Sequence, residues 1–116
     1  MKQETEDKVS KLAGFQQALN KLHTEKYSYQ NELLELDSAS EELDNSNNSY
    51  KIIGNLMVAM PKKAIKSEIQ LRKDYLKDKI KSIESQEKRI TKDASDLQSQ
   101  VLSELEESEN GSKSSN

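Results

Sequence analysis

Apolar residues return every seven positions through most of this chain, in two separate series. Phe15, Leu22, Tyr29, Leu36 and Leu43 make the first, and Leu12, Leu19, Lys26, Leu33 and Ser40 run beside it three residues earlier. Ile69, Leu76, Ile83, Ile90 and Leu97 make the second, each followed four residues later by Lys73, Ile80, Glu87, Ala94 and Val101. Alternating steps of three and four place each double series on one stripe of a helix, an a/d seam of the coiled-coil kind. A seam of this sort cannot hold a single helix together; it needs a partner to cover it.

Composition narrows the choice of partner and of class. Charged residues make up 34% of the 116 positions and aromatics 4%, with no Trp. That is too little apolar mass for a compact globular core of this length and suits long paired helices in one domain. Disorder competes for so polar a chain, but the periodicity excludes it for most of the length. No cysteine is present, so disulfides and thiolate metal sites are excluded. A net charge of −3 offers no global basic field to nucleic acid. No apolar run approaches the roughly 20 residues that cross a bilayer, and "MKQETEDK" at the start lacks a signal-peptide core. A cytoplasmic protein without nucleic-acid or membrane partners is expected.

The nearest partner for either seam is the other half of the same chain. Antiparallel pairing with position numbers summing to 109 sets Leu12 against Leu97, Phe15 against Ala94, Leu19 against Ile90, Tyr29 against Ile80 and Leu33 against Leu76. The fold-back point then falls between Gly54 and Asn55, which would also centre a tight turn. A register shifted by one heptad is the competing alignment. Helices are expected over about 6–44 and 61–107, the second opened by Pro61 in its first turn. "DNSNNS" (Asp44 to Ser49) ends the first with turn formers. Residues 108–116 carry no pattern and are expected to form a disordered tail after a domain spanning 1–107.

Between the helices lies "SYKIIGNLMVAMP", the one strongly apolar stretch. Tyr50 to Ile53, Gly54-Asn55 and Leu56 to Met60 fit strand, turn and strand. Tyr and β-branched residues favour strands, and Gly-Asn suits a hairpin turn. Alternation gives the ribbon two largely apolar faces. Its seven large apolar side chains represent roughly 10–20 kcal/mol of burial, little of which a lone hairpin can realise. Tyr50, Ile52, Ile53, Gly54, Leu56, Met57, Val58 and Met60 are therefore expected to form an assembly element that meets hairpins of other chains. The expected fold is mostly α with a small β element: two long helices in an antiparallel intramolecular coiled coil, joined by one central β-hairpin that assembles into an intersubunit β-barrel.

The stretch from Tyr50 to Ile90 resembles the beta-type subunit of prefoldin. Tyr50-Lys51, the apolar pair before Gly54, "NLMV" (Asn55 to Val58) and "SQEKRI" (Ser85 to Ile90) carry the likeness. The order of helix, hairpin and helix extends it from Lys8 to about Leu105. The Ser/Asn-rich tail and Met60-Pro61 depart from the family pattern without touching the architecture. The resemblance implies an ATP-independent co-chaperone with no enzymatic activity and no cofactor. It implies a hexamer with an alpha-type subunit and other beta-type copies, two of the former and four of the latter, of an archaeal kind. It implies client binding at the arm tips and delivery of unfolded proteins to a group II chaperonin. The tip residues are then Val9, Leu12, Val101, Leu102 and Leu105, of which Leu102 and Leu105 fall off the seam. Exposed apolar patches mark interaction sites, although single surface leucines are common. The rival expectation is a structural coiled-coil scaffold that dimerises through its helices.

Other residues fit an exposed helical surface. His23 flanks seam residue Leu22, Tyr27 flanks Lys26, and Lys62, Lys63 and Lys66 form the one basic cluster, a solvated face. Gly14 costs its helix about 1 kcal/mol. No nucleophile with a base, phosphate loop or metal-ligand spacing is present.

Overall fold

The computed structural model describes residues 2–114, with side chains described to residue 109. Its elements follow in the order α1 (Gln3–Asn45), β1 (Tyr50–Ile53), β2 (Leu56–Ala59) and α2 (Lys62–Ser114). All twenty seam residues expected from the heptads are buried or half-buried, including the polar Lys26, Ser40, Lys73 and Glu87. Leu76 (0% exposed), Ile83 and Val101 are the most deeply covered apolar residues. The core is thus a narrow strip between two helices, as the heptad pattern dictates.

Two compact units divide the chain: Met1–Thr24 with Ile83–Asn116, and Glu25–Ser82. The first brings both terminal segments together. The second holds the hairpin and the helical stretches that flank it. Within the second unit, Arg72 donates two bonds to Glu32, Nε to Oε1 at 2.9 Å and Nη2 to Oε2 at 3.0 Å. Lys73 reaches Asp37 at 2.5 Å, and Lys66 pairs with Asp44. Every cation in these cross-helix pairs lies on α2 and every anion on α1. In the first unit the polarity is reversed: Lys8 of α1 pairs with Glu104 of α2. Exposed ion pairs add little stability. Their arrangement favours α1 against α2 over α1 against another α1, where Glu32, Asp37 and Asp44 would face like charges.

The ends of the elements follow from local chemistry. Past α1, Ser46 Oγ donates to the Asn48 carbonyl at 2.6 Å and accepts from the Asn48 N–H at 3.3 Å, a side-chain turn that competes with further helix. The Pro61 carbonyl accepts from the N–H groups of Ala64 and Ile65 at 3.0 and 3.3 Å. Pro61 therefore stands at the cap of α2, one place earlier than expected. At the far end α2 runs on to Ser114, beyond residue 107, where helix was expected to give way to tail. Glu106, Glu107 and Glu109 are good helix formers and no proline interrupts them. Positions 115 and 116, also part of the expected tail, lie outside the described residues.

The strands pair antiparallel as Tyr50↔Ala59, Lys51↔Val58, Ile52↔Met57 and Ile53↔Leu56. Each pair of numbers sums to 109, the value inferred from the seams alone. Gly54 has φ of 61°, and among the described residues no non-glycine has positive φ. The two-residue turn is thus of type II′, with glycine at its first central position, whose twist suits a hairpin.

Candidate functional site

Period-two alternation sorts the ribbon's side chains onto two faces. Lys51, Ile53, Leu56 and Val58 share one; Tyr50, Ile52, Met57 and Ala59 share the other. Six large apolar side chains are exposed: Tyr50, Ile52, Ile53, Leu56, Met57 and Val58. Ile52 and Met57, an opposed pair, are 70% and 68% exposed. Val58 at 39% is the least exposed of the six. It shares its face with Lys51, whose Nζ bonds Glu68 Oε1 of α2 at 2.9 Å. Met60 is half-buried at the ribbon's base, where it lines an open hollow of about 390 Å³ with Asn47, Tyr50, Pro61 and others. The Met60 N–H donates to the Ser49 carbonyl at 3.0 Å, extending the ladder by one rung.

Backbone groups add to the stickiness of the ribbon. Residues 49 and 60 form a hydrogen-bonded rung, so the rungs alternate and 50↔59 and 52↔57 are non-bonded pairs. The N–H and C=O groups of Tyr50, Ile52, Met57 and Ala59 therefore point away from the ribbon along its two outer edges. Exposed edges with apolar faces template further strand pairing.

The terminal unit holds the second candidate region. Thr5 is buried, and its Oγ1 donates to Glu104 Oε2 at 2.6 Å, while Lys8 bonds the other carboxylate oxygen. These residues continue the seam beyond Leu12 and Val101 in polar form. The Lys8 and Thr5 hydrogen bonds hold the Glu104 carboxyl below its ordinary value of 4.5. The bond to Glu104 raises Lys8 above 10.5. A lowered carboxyl stabilises above its unfolded value and loses that contribution as pH falls through the folded one. A raised amine stabilises below its unfolded value and loses it as pH rises through the folded one. The clamp is thus intact between about 4.5 and 10.5 and slackens on either side. Glu104→Gln is expected to lower amide-exchange protection over residues 3–9 and 100–108 at neutral pH. It should also remove the acid-side loss of protection expected of the parent chain. Equal protection in both chains at pH 7 would refute the clamp.

Beside this clamp, Lys2, Glu4, Thr5, Glu104, Leu105, Glu107 and Ser108 line a hollow of about 420 Å³. Val9, Leu102 and Leu105 are 42%, 55% and 39% exposed. Leu12 is half-buried in the seam. Val101, expected among the tip contacts, is only 7% exposed, because its seam position turns it against α1. The available apolar surface here is Val9, Leu102 and Leu105.

His23 is exposed at the flank as expected, with its Nε2 2.7 Å from Glu87 Oε2 of the seam. Heptad spacing missed the polar clamp, since Thr5, Lys8 and Glu104 are not apolar. It also passed over Leu34 and Leu71, which are 65% and 71% exposed. Their off-seam heptad positions were the available signal. Among the described residues, no helix is long and apolar enough to cross a membrane.

Residues 6–108 match the family model described as Prefoldin subunit. The chain is 36% identical over 98 residues to the prefoldin subunit beta of Saccharolobus islandicus, covering 79% of this chain and 78% of that one. Against the prefoldin subunit beta of Methanospirillum hungatei JF-1 it is 31% identical over 104 residues, 87% of each. Its fold matches the crystal structure of the prefoldin beta subunit from Thermococcus strain KS-1 with a TM-score of 0.85 and 25% identity, over 90% of this chain and 94% of that one. With two long helices, one hairpin between them and these relatives, the chain belongs to the prefoldin subunit family, among its beta-type members.

Proposed function

We propose that this chain is one beta-type subunit of a hexameric, ATP-independent holdase in the cytoplasm. Prefoldin is a chaperone family rather than an enzyme family, and its subunits assemble with one another. Here the hairpin joins alpha-type subunits and further beta-type copies in a shared β-barrel. The helix pair projects from it, holds unfolded polypeptide through Val9, Leu102 and Leu105, and passes it to a group II chaperonin.

The observation that carries this reading is the pairing of two separate exposed apolar regions in one otherwise polar chain. One is a ribbon with open edges, suited to other ribbons. The other is a loose set of aliphatic side chains beside a hollow, suited to irregular apolar segments. A plain coiled-coil scaffold has no use for the ribbon, since a rod would stay helical through residues 50–59.

The test is suppression of aggregation of a denatured client by the assembled complex. Leu102→Ser with Leu105→Ser is expected to reduce holding several-fold while leaving the complex mass unchanged. Full holding activity in that double variant would refute the tip assignment.

A further inference from the structure

The open leucines of the terminal unit sit in a surround of one charge sign. Leu102, Leu105, Glu106 and Glu109 fall three, four and seven residues along from the first, so they share one stripe of α2. All four are exposed. Residues 101–109 carry four carboxylates and no basic side chain, and Lys113 is the only cation after them. On α1, Lys2, Lys8 and Lys11 are matched by Glu4, Glu6 and Asp7. Residues 13–100 hold equal numbers of acidic and basic side chains. The negative charge of the chain is therefore concentrated on the stretch of α2 that bears Leu102 and Leu105.

The hollow beside the clamp has the same character. Leu105 gives it apolar wall, and Glu4, Glu104 and Glu107 face it with Lys2 as the one cation. Both oxygens of Glu104 are taken by Thr5 and Lys8. Among the described residues, no hydrogen bond or ion pair ties down the carboxylates of Glu4, Glu106 and Glu107. A Lys or Arg side chain suits such a place, because its methylene stem lies on apolar surface while its charged head reaches the rim. A segment rich in Asp or Glu would meet like charge along the same stripe.

We infer that this surface selects, among unfolded polypeptides, segments that interleave aliphatic or aromatic residues with Lys and Arg. The inference rests on the client-binding reading proposed above and names its client class. Val9, Leu102 and Leu105 take the apolar residues, and Glu4, Glu106 and Glu107 take the basic ones. Charge complementarity sets the choice, since exposed leucines alone do not distinguish one apolar segment from another. Exposed charge pairs are individually weak, so the selection comes from several acting together and fades as salt screens them.

The experiment uses the complex of the full chain with an alpha-type prefoldin subunit and three short, labelled, unstructured peptides. All have Leu and Phe at the same places, with Lys, Gln or Glu between them. Binding is followed by fluorescence anisotropy. At low salt the Lys peptide should bind about tenfold tighter than the Glu peptide, with the Gln peptide between them, and the three should converge at high salt. Glu4→Gln with Glu106→Gln and Glu107→Gln should shrink the ratio of Lys to Glu peptide several-fold and leave the Gln peptide unchanged. Gln keeps the helix propensity of Glu, and Glu104 stays in place, so the clamp survives in this variant. Leu102→Ser with Leu105→Ser should instead weaken all three peptides. Equal binding of the three peptides by the parent, or an unchanged ratio in the triple variant, overturns the inference; weakened binding by the leucine variant then leaves the client-binding reading standing. A triple variant that keeps the ratio and loses only its contact with a chaperonin also overturns it, by giving the carboxylates to that partner. Parent-like binding of all three peptides by the leucine variant overturns both.

Discussion

Replacing Ile52 and Met57 together by serine is expected to reduce this protein to single chains at micromolar concentration, with its helical circular dichroism intact. The two residues oppose each other across the ribbon and are about two-thirds exposed in the single chain, so they contribute little to its own stability. In an assembly their burial is worth about 1.5–3 kcal/mol each. Losing both weakens each contact by roughly 3–6 kcal/mol, on the order of a hundredfold to ten-thousandfold. Sedimentation or native mass spectrometry checks this. Amide exchange gives a finer view. The outward N–H groups of Tyr50, Ile52, Met57 and Ala59 should be protected in the parent assembly and unprotected in the variant, while the rung amides differ less. Survival of the oligomer in the double variant would remove the ribbon as the assembly element.

The second large effect belongs to Leu76, which has 0% exposure in the seam. Leu76→Ala removes buried methyl groups and leaves a cavity in the seam, at a cost of about 2–5 kcal/mol. For a chain of this size the melting temperature should fall by roughly 10 °C or more. Leu71 is five residues away in the same helix and 71% exposed. Its change to alanine should alter the stability of the single chain by no more than about 0.5 kcal/mol. Urea unfolding followed at 222 nm separates the two cases, and equal midpoints for both variants would contradict the placement of the seam.

The contrast between these two leucines shows what heptad reading can and cannot find. Leu76 sits in a series that repeats every seven residues, and 3.6 residues per turn converts that repeat directly into a buried stripe. The fold-back point was legible for a related reason. Two seams and one turn each constrain the same sum of position numbers, and the strand register Ile53↔Leu56 meets that sum. The glycine at the turn was legible because a short hairpin loop needs one residue of positive φ, and Gly54 supplies it.

Other features depend on side-chain reach rather than on spacing. Thr5, Lys8 and Glu104 end the seam with hydrogen bonds that join residues 99 and 96 positions apart, which no periodicity announces. Val101 illustrates the same limit from the other side. Its place near the chain's end suggested a client contact, yet the helix turns it inward. The charge alternation between units became visible only once particular lysines and carboxylates were seen to meet.

Period alone determined the two helices, the ribbon between them and the pairing of the chain with itself, because helix and strand geometry translate spacing into faces. The tertiary structure decided which way the ribbon leans, which off-seam leucines stay open and which polar groups close the seam. Those outcomes are set by the twist of a short hairpin and by the length and charge of side chains such as Lys51 and Lys8, and neither leaves a repeat in the sequence.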